Sequence, residues 1–377
     1  MVINKLPTLD LRQIILRRVK IPLHEPFRIS SGAVSEKECI VVEMRADEGV
    51  GFGEASPMGG PFYSADTPDS TWKALAEQLV PRLAGCEKLR LQDLLSVFEE
   101  TPGEPFAKAG LEGAFWDAGA QHLGRPLFEL LGGRRRPIPS GVAIGIYPSL
   151  EELLARVERY MREGYQRVKI KIQPGWDIGP VRAVRERFGP VPLMVDANAA
   201  YTLRDATVFE QLDRFDLMMI EQPMAADALE EHAELQRRIR TPVCLDESAE
   251  SLDALREILR LGSGRIVNIK VQRVGGLFNA RQMHESCMQA GVPCWLGTMP
   301  ELGIASAQGL HLGTLENFIW PTDVEASARW FADDIIDPLI TVNRQGWIHL
   351  PEGPGMGYRV DREKLQKYST DTMVFDL

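Results

Sequence analysis

Five side chains recur at one point of a repeating unit: Lys171, Asp196, Glu221, Asp246 and Lys270 follow one another at intervals of 25, 25, 25 and 24 residues. Each closes a short apolar run, in VKIK, LMVD, MMIE, VCLD and VNIK. Such an interval fits one strand, loop and helix, so each step would return the chain to the same rim of a parallel sheet. A strand-end acid can equally cap the helix that follows it, so one such position alone says little. Five in register point to a shared site. Three converging carboxylates repel one another and rise in pKa unless a cation lies between them. Oxygen-only ligation suits a hard divalent ion, Mg²⁺ first and Mn²⁺ as the alternative.

The lysines carry the second half of the chemistry. A lysine in an apolar strand is costly unless it is paired or used, the other reading being an ammonium that snorkels to the barrel mouth. Lys169 in VKIKIQ raises the same question as Lys171 and Lys270. Beside a divalent ion and partly desolvated, an ammonium gives up its proton more readily and becomes a usable base near neutral pH. A small-molecule carboxylate chelating the ion would have its α-proton acidified, with Lys171 and Lys270 addressing opposite faces of it. Asn198, two residues beyond Asp196, alternates onto the same side and would orient water or ligand; a turn residue opening the next helix is the other reading.

The elements that must position these groups follow from periodicity. IILRRVKIPL and CIVVEMRADEGVGFGEA alternate as strands around a turn at Asp47, Glu48 and Gly49. TWKALAEQLVPRLAG, LQDLLSVFEE and PFAKAGLEGAFWDAGAQHLG then read as helices, the last rich in small residues for close packing. Residues 1–133 thus form a small α+β unit. From 134 to 325, GVAIGI, RVKIKI, PLMVDAN, LMMIEQP, PVCLDES, RIVNIKV and VPCWLGT alternate with amphipathic helices such as SLEELLARVERYMREG. Seven strands separated by helices imply a parallel barrel or open sheet. Residues 326–377 return to strand and turn character and are expected to fold back onto the first unit.

Bulk properties narrow the function classes. The chain has 377 residues, the length of one barrel of about 250 residues plus an accessory domain. A formal net charge of -10 argues against nucleic acid as a partner, because gripping phosphates takes surplus Lys and Arg. Cys39, Cys86, Cys244, Cys287 and Cys294 are odd in number, scattered and without CxxC spacing, and read as reduced thiols. No leader-like segment or run of about 20 apolar residues is present, so a soluble, cytoplasmic protein without membrane contact is expected. A homo-oligomer is the expected assembly.

At the motifs Lys169-Ile170-Lys171, VDAN, IEQP, LDES and NIKVQRVGGL, the chain resembles the muconate-lactonizing subgroup of the enolase superfamily, whose sites are the known example of a Lys or His base beside Mg²⁺. Within it, KIKIQPGWD, GGPFYSADT and WPTDVEASARWFADDII are similar to the o-succinylbenzoate synthases and N-acylamino acid racemases. The resemblance covers essentially the whole chain. It implies an α/β fold, a modified (β/α)8 barrel of TIM type covered by an α+β capping domain built from the N-terminal third and the C-terminal tail.

It further implies Asp196, Glu221 and Asp246 as metal ligands and Lys171 as the acid/base of a syn-dehydration. Lys270 would stabilise the enediolate, or act as second acid/base in racemisation. Lys169 would support Lys171 and touch the substrate carboxylate, and Glu247 would pair with Lys270 or open the next helix. Phe27, Arg28, Met58 and Tyr63 would close over the substrate, with interface packing the other reading for Met58 and Tyr63. Glu301 matches the acid of a GGMLE-type pattern.

Three features depart from or refine that pattern. Gly297-Thr298 stands for paired glycines, followed by Met299-Pro300-Glu301, and Ala143 stands where relatives carry Ser. Arg273 resembles racemising members, and its charge would lower the Lys270 pKa; a surface charge is the other reading. The expected activity is dehydration of a cyclohexadiene carboxylate to an aromatic acid in menaquinone biosynthesis, with N-acylamino acid racemisation beside it. A muconate cycloisomerase or an epimerase remains the alternative within the subgroup, though PTDVEAS lacks the DxD typical of dipeptide epimerases. A metal-independent Schiff-base aldolase and a catalytically silent protein are the alternatives from other classes.

Overall fold

The alternating N-terminal segment forms β1 (Leu9–Ile29), β2 (Gly32–Ala46) and β3 (Gly49–Ala55), an antiparallel meander whose second turn lies at Asp47 and Glu48. This is a computed structural model, and it describes residues 6–29, 32–59, 64–86 and 88–377. The small-residue segment forms α1 (Pro105–His122), buried along most of its length against β3. Asp117 on α1 accepts from Phe52 N and Met356 N, both at 3.0 Å, and burial raises its pKa to about 6.

The single helix expected over TWKALAEQLVPRLAG is instead broken into three pieces. An α-turn, Pro68–Lys73, runs into a wider π-turn, Ala74–Leu79, and a 3-10 turn, Pro81–Leu83. Pro81 has no N–H to continue the α-ladder and its ring would meet the carbonyl four residues back. The chain rewinds, with Val80 N donating to Leu75 O at 3.0 Å.

All seven apolar runs of the second region become strands: β4 (Val142–Ile144), β5 (Val168–Lys171), β6 (Leu193–Asp196), β7 (Ile220–Glu221), β8 (Val243–Leu245), β9 (Ile266–Ile269) and β10 (Cys294–Leu296). They pair in sequence order, all parallel, as connections that cross over through helices require. Helices lie between them, among them α2 (Leu150–Glu163), α3 (Ile178–Phe188), α4 (Leu229–Arg238), α5 (Leu252–Leu261) and α6 (Leu277–Gln289), with α7 (Gly303–Leu312) after β10.

The eighth barrel position is an extended segment rather than a ladder strand. Gly141 N donates to Thr322 O at 2.8 Å and Asp323 N to Leu296 O at 3.1 Å, so residues 322–323 join β10 back to β4. Met194, Met219, Cys244, Ile266 and Trp295 fill the barrel below its rim. The chain then returns to its start: β11 (Ser369–Asp376) pairs antiparallel with β1, giving the cap sheet the order β11-β1-β2-β3. Among the described residues no helix is long and apolar enough to cross a membrane.

Candidate active site

Strand register builds the site. Lys171 on β5 lies opposite Asp196 on β6, which lies opposite Glu221 on β7. Glu221 in turn faces Cys244, so Asp246 stands two residues further along and, by the two-residue period, on the same face. Lys270 follows the end of β9 directly. All five side chains are buried, as is Lys169.

Their hydrogen bonds divide into two groups. Lys171 Nζ donates to Asp196 Oδ2 at 2.5 Å, and Lys169 Nζ lies 3.2 Å from Glu221 Oε2 and 3.7 Å from Asp196 Oδ2. Lys169 also pairs with Asp323, whose other oxygen accepts from Arg167 Nη2 at 2.7 Å. Arg167 and Lys169 both lie over the Trp295 ring, at 5.0 and 4.9 Å from its centre. On the other side Lys270 Nζ donates to Asp246 Oδ2 at 2.8 Å, and Arg273 pairs with the second oxygen of the same carboxylate and with Asp246 O. Arg273 is thus turned into the site.

Burial and charge push these acids in different directions. Burial, reinforced by the charge of Asp196, raises Glu221 to about 8. Burial acts the same way on Asp246, but Arg273 and Lys270 outweigh it and hold that carboxyl far below its usual range. Asp196 is lowered by Lys171 and Lys169 against the same penalty. Burial would strip Lys169 of its proton, yet Asp323, Glu221 and Asp196 raise it instead. Among the described residues no group of three His, Cys, Asp or Glu side chains stands arranged around an ion. The carboxylates are turned to lysine and arginine instead. The donor set still fits a hard cation, because three carboxylates lie on adjacent strand ends and the Glu221 charge is opposed by its neighbours.

The supporting residues occupy distinct places. Asn198 has φ 42; its N donates to Asp196 Oδ1 at 2.9 Å and its Nδ2 to Glu247 Oε1 at 3.1 Å. Asn198 Oδ1 and Glu247 Oε2 are buried with no hydrogen-bond partner, so this corner has unused oxygen acceptors. Burial and the charge of Asp246 raise Glu247 to about 7. Met58 lines a pocket with Lys169, Lys171, Lys270 and Trp330 that holds about 50 Å³, room for a few waters. Glu301 lies beside that pocket, accepts from Met299 N at 3.1 Å, and is raised to about 8 by burial and by Glu54. The Ala143 main-chain N donates to Glu325 Oε1 at 2.8 Å. Tyr63 and the side chains of Phe27 and Arg28 lie outside the described residues.

Arg167, Asp323, Glu325 and Asn268 were missed in the sequence. Arg167, Lys169 and Lys171 alternate along one strand, a pattern that places three cations on one face. Asp323 and Glu325 share a two-residue spacing in PTDVEAS, and both line the pocket. Asn268 Nδ2 donates to Glu221 Oε1 at 2.6 Å. That amide occupies the space a side chain at Gly297 would need, since a Cβ there would lie 2.1 Å from Asn268 Oδ1, which explains why this glycine stays while its neighbour is Thr298.

Known proteins resemble the chain over nearly its whole length. Residues 152–364 match the enolase C-terminal domain-like family, and residues 11–132 match the mandelate racemase / muconate lactonizing enzyme N-terminal domain. The o-succinylbenzoate synthase of Geobacillus kaustophilus is 45% identical over 97% of this chain and 98% of its own. The N-succinylamino acid racemase of Amycolatopsis is 42% identical over 94% of this chain and 96% of its own. A solved enolase-superfamily structure from Listeria innocua superposes with a TM-score of 0.93 at 36% identity, covering 98% of this chain and 99% of that one. The chain belongs to the mandelate racemase / muconate lactonizing enzyme family of the enolase superfamily.

Proposed function

We propose that the protein is an o-succinylbenzoate synthase, a metal-dependent hydro-lyase of menaquinone biosynthesis that also racemises N-acylamino acids. The observation that carries this reading is the placement of Lys171 and Lys270 on either side of three buried carboxylates on adjacent strands. The full-length likeness to proteins of both names supports it. Asp196, Glu221 and Asp246 would hold a divalent cation, Mg²⁺ in the cell. A cation there supplies positive charge against the second negative charge that a carboxylate substrate gains when its α-proton leaves.

With a cation held by the three carboxylates, the side-chain nitrogens of Lys171 and Lys270 would be left to face the substrate, Lys171 as the neutral amine. In dehydration Lys171 takes the α-proton and returns it to the departing hydroxyl on the same face, so that water leaves and the ring becomes aromatic. Lys270, beside Asp246 and Arg273, would face the developing charge from the other side. In racemisation one lysine removes the α-proton and the other delivers a proton to the opposite face. Lys169, fixed by Asp323, lies where it can meet the substrate carboxylate.

The test is turnover of the cyclohexadiene carboxylate and of N-succinyl amino acids with Mg²⁺, with Mn²⁺ and after EDTA. The expected result is activity on both that EDTA removes and either ion restores. Activity surviving EDTA, together with borohydride trapping of substrate on a lysine, would overturn it in favour of Schiff-base chemistry.

A further inference from the structure

The two catalytic lysines are held by different parts of the molecule. Beyond Lys171, the turn is fastened by barrel residues: Ile172 N donates to Asp196 O at 2.9 Å, and Asp177 accepts from Ile178 N at 2.6 Å and from Tyr201 Oη at 3.1 Å. Beyond Lys270, the turn to α6 is fastened at both ends by the cap. Gln272 Oε1 accepts from Ser56 N at 2.9 Å and its Nε2 donates to Glu54 O at 2.9 Å, so its amide pairs with the main chain at the end of β3. At the other end, Glu112 of α1 accepts from Phe278 N at 2.8 Å, in the first turn of α6.

The glycines of NIKVQRVGGL fit the same device. Gly276 has φ 130, and a Cβ there would lie 2.1 Å from Glu112 Oε2, so the carboxylate reaches the helix start only because residue 276 has no side chain. Glu112 is itself fixed by Trp116 Nε1 at 2.6 Å. Glu54 ties the cap to the following βα unit as well, accepting from Leu302 N at 2.8 Å and Ala305 N at 2.9 Å at the start of α7. Within the turn, Val274 N donates to Lys270 O at 3.2 Å and Gly276 N to Val271 O at 3.0 Å, so a shift of either anchor is passed to Lys270.

We infer that Gln272 and Glu112 are positioning residues through which the capping domain sets the placement of Lys270, and with it proton transfer on one face of the substrate. The kinetic readout rests on the racemase part of the proposed function. A misplacement of about 1 Å can cost on the order of 100-fold in rate, and among the described residues the turn after Lys171 is fastened within the barrel rather than to the cap.

The experiment follows α-hydrogen exchange in D₂O for each enantiomer of an N-succinyl amino acid separately, with Lys171→Ala and Lys270→Ala identifying which enantiomer reports which lysine. In Gln272→Ala and Glu112→Ala, exchange on the Lys270 face is expected to fall about tenfold or more in kcat with KM little changed, and exchange on the Lys171 face to change less than about twofold. Glu112→Gln, which keeps an acceptor for Phe278 N, restores most of the loss. Equal loss on both faces, or no loss on either in folded variants, overturns the inference. Amide hydrogen exchange on the same proteins without substrate decides it independently. Residues 271–278 should lose protection while 172–178 keep it, and unchanged protection in 271–278 overturns the inference. Failure of the wild type to exchange either enantiomer counts against the racemase reading, and the amide measurement still decides the role of the anchors.

Discussion

The Lys171 and Lys270 halves of the site use the same ingredients, lysine paired to a buried carboxylate, but differ in what stands behind them. Lys171, Lys169 and Arg167 form a column of cations on one strand, answered by Asp196, Glu221 and Asp323, all within the barrel. Lys270 and Arg273 both pair with Asp246, and their turn leans on the cap. On the proposed roles, a reaction using one face of the substrate would rely on the barrel, whereas one using both faces would draw the cap into the chemistry. Dehydration and racemisation should therefore respond differently to damage in the two halves.

The most severe test replaces the lysines. Lys171→Ala should cost dehydration and racemisation about 1000-fold or more each, and Lys270→Ala should cost racemisation as much while leaving measurable dehydration. Steady-state kinetics on both substrates check this, and equal losses in both reactions for Lys270→Ala would erase the asymmetry. Next in size is Asp323→Asn in the barrel half. Arg167 is only 1% exposed, and losing its counter-charge should lower the unfolding free energy by about 3 kcal/mol, read by urea titration.

The cap half is tested by pH. Burial raises the Glu112 carboxyl from 4.5 to about 7, so the folded chain holds that proton more tightly than the unfolded one. Stability from this group is complete below about pH 4.5 and is lost as the pH rises through about 7, a change of about 3 kcal/mol at most. Asp117, raised to about 6, acts in the same direction. Glu112→Gln should flatten part of that decline in a Tm-against-pH series; an unaltered slope would show that the carboxyl is not held as described. The smallest effect belongs to the pocket wall: Met58→Ala should change KM within about tenfold and leave kcat near wild type.

Much of this was legible in the residues, for reasons that differ by region. The barrel strands end in polar groups at a near-constant interval, and that interval survives any uncertainty about strand limits. It gave Lys171, Asp196, Glu221, Asp246 and Lys270 one rim before any geometry was known. Asp323 escaped because its segment, PTDVEAS, carries no strand pattern; it joins the barrel through single bridges rather than a ladder. Glu112 escaped for a related reason. AGLEGAFW was read for its small residues, and the one acid among them, which has to find N–H donors when buried, was passed over. The break at Pro81 was visible as a proline within a helical pattern, although not the π-turn that accommodates it.

The pairing of β1 with β11 also orders events during synthesis. From Gln13 to Val19, one edge of β1 can meet β2 almost as soon as both leave the ribosome, but the other edge waits for residues 369–376, which emerge after the whole barrel. Until then the nascent chain carries an open strand edge in a segment containing Ile14, Ile15 and Leu16, the kind of edge that recruits other chains. Chaperone binding and aggregation should therefore concentrate on chains arrested before β11, and emergence of β11 should end both.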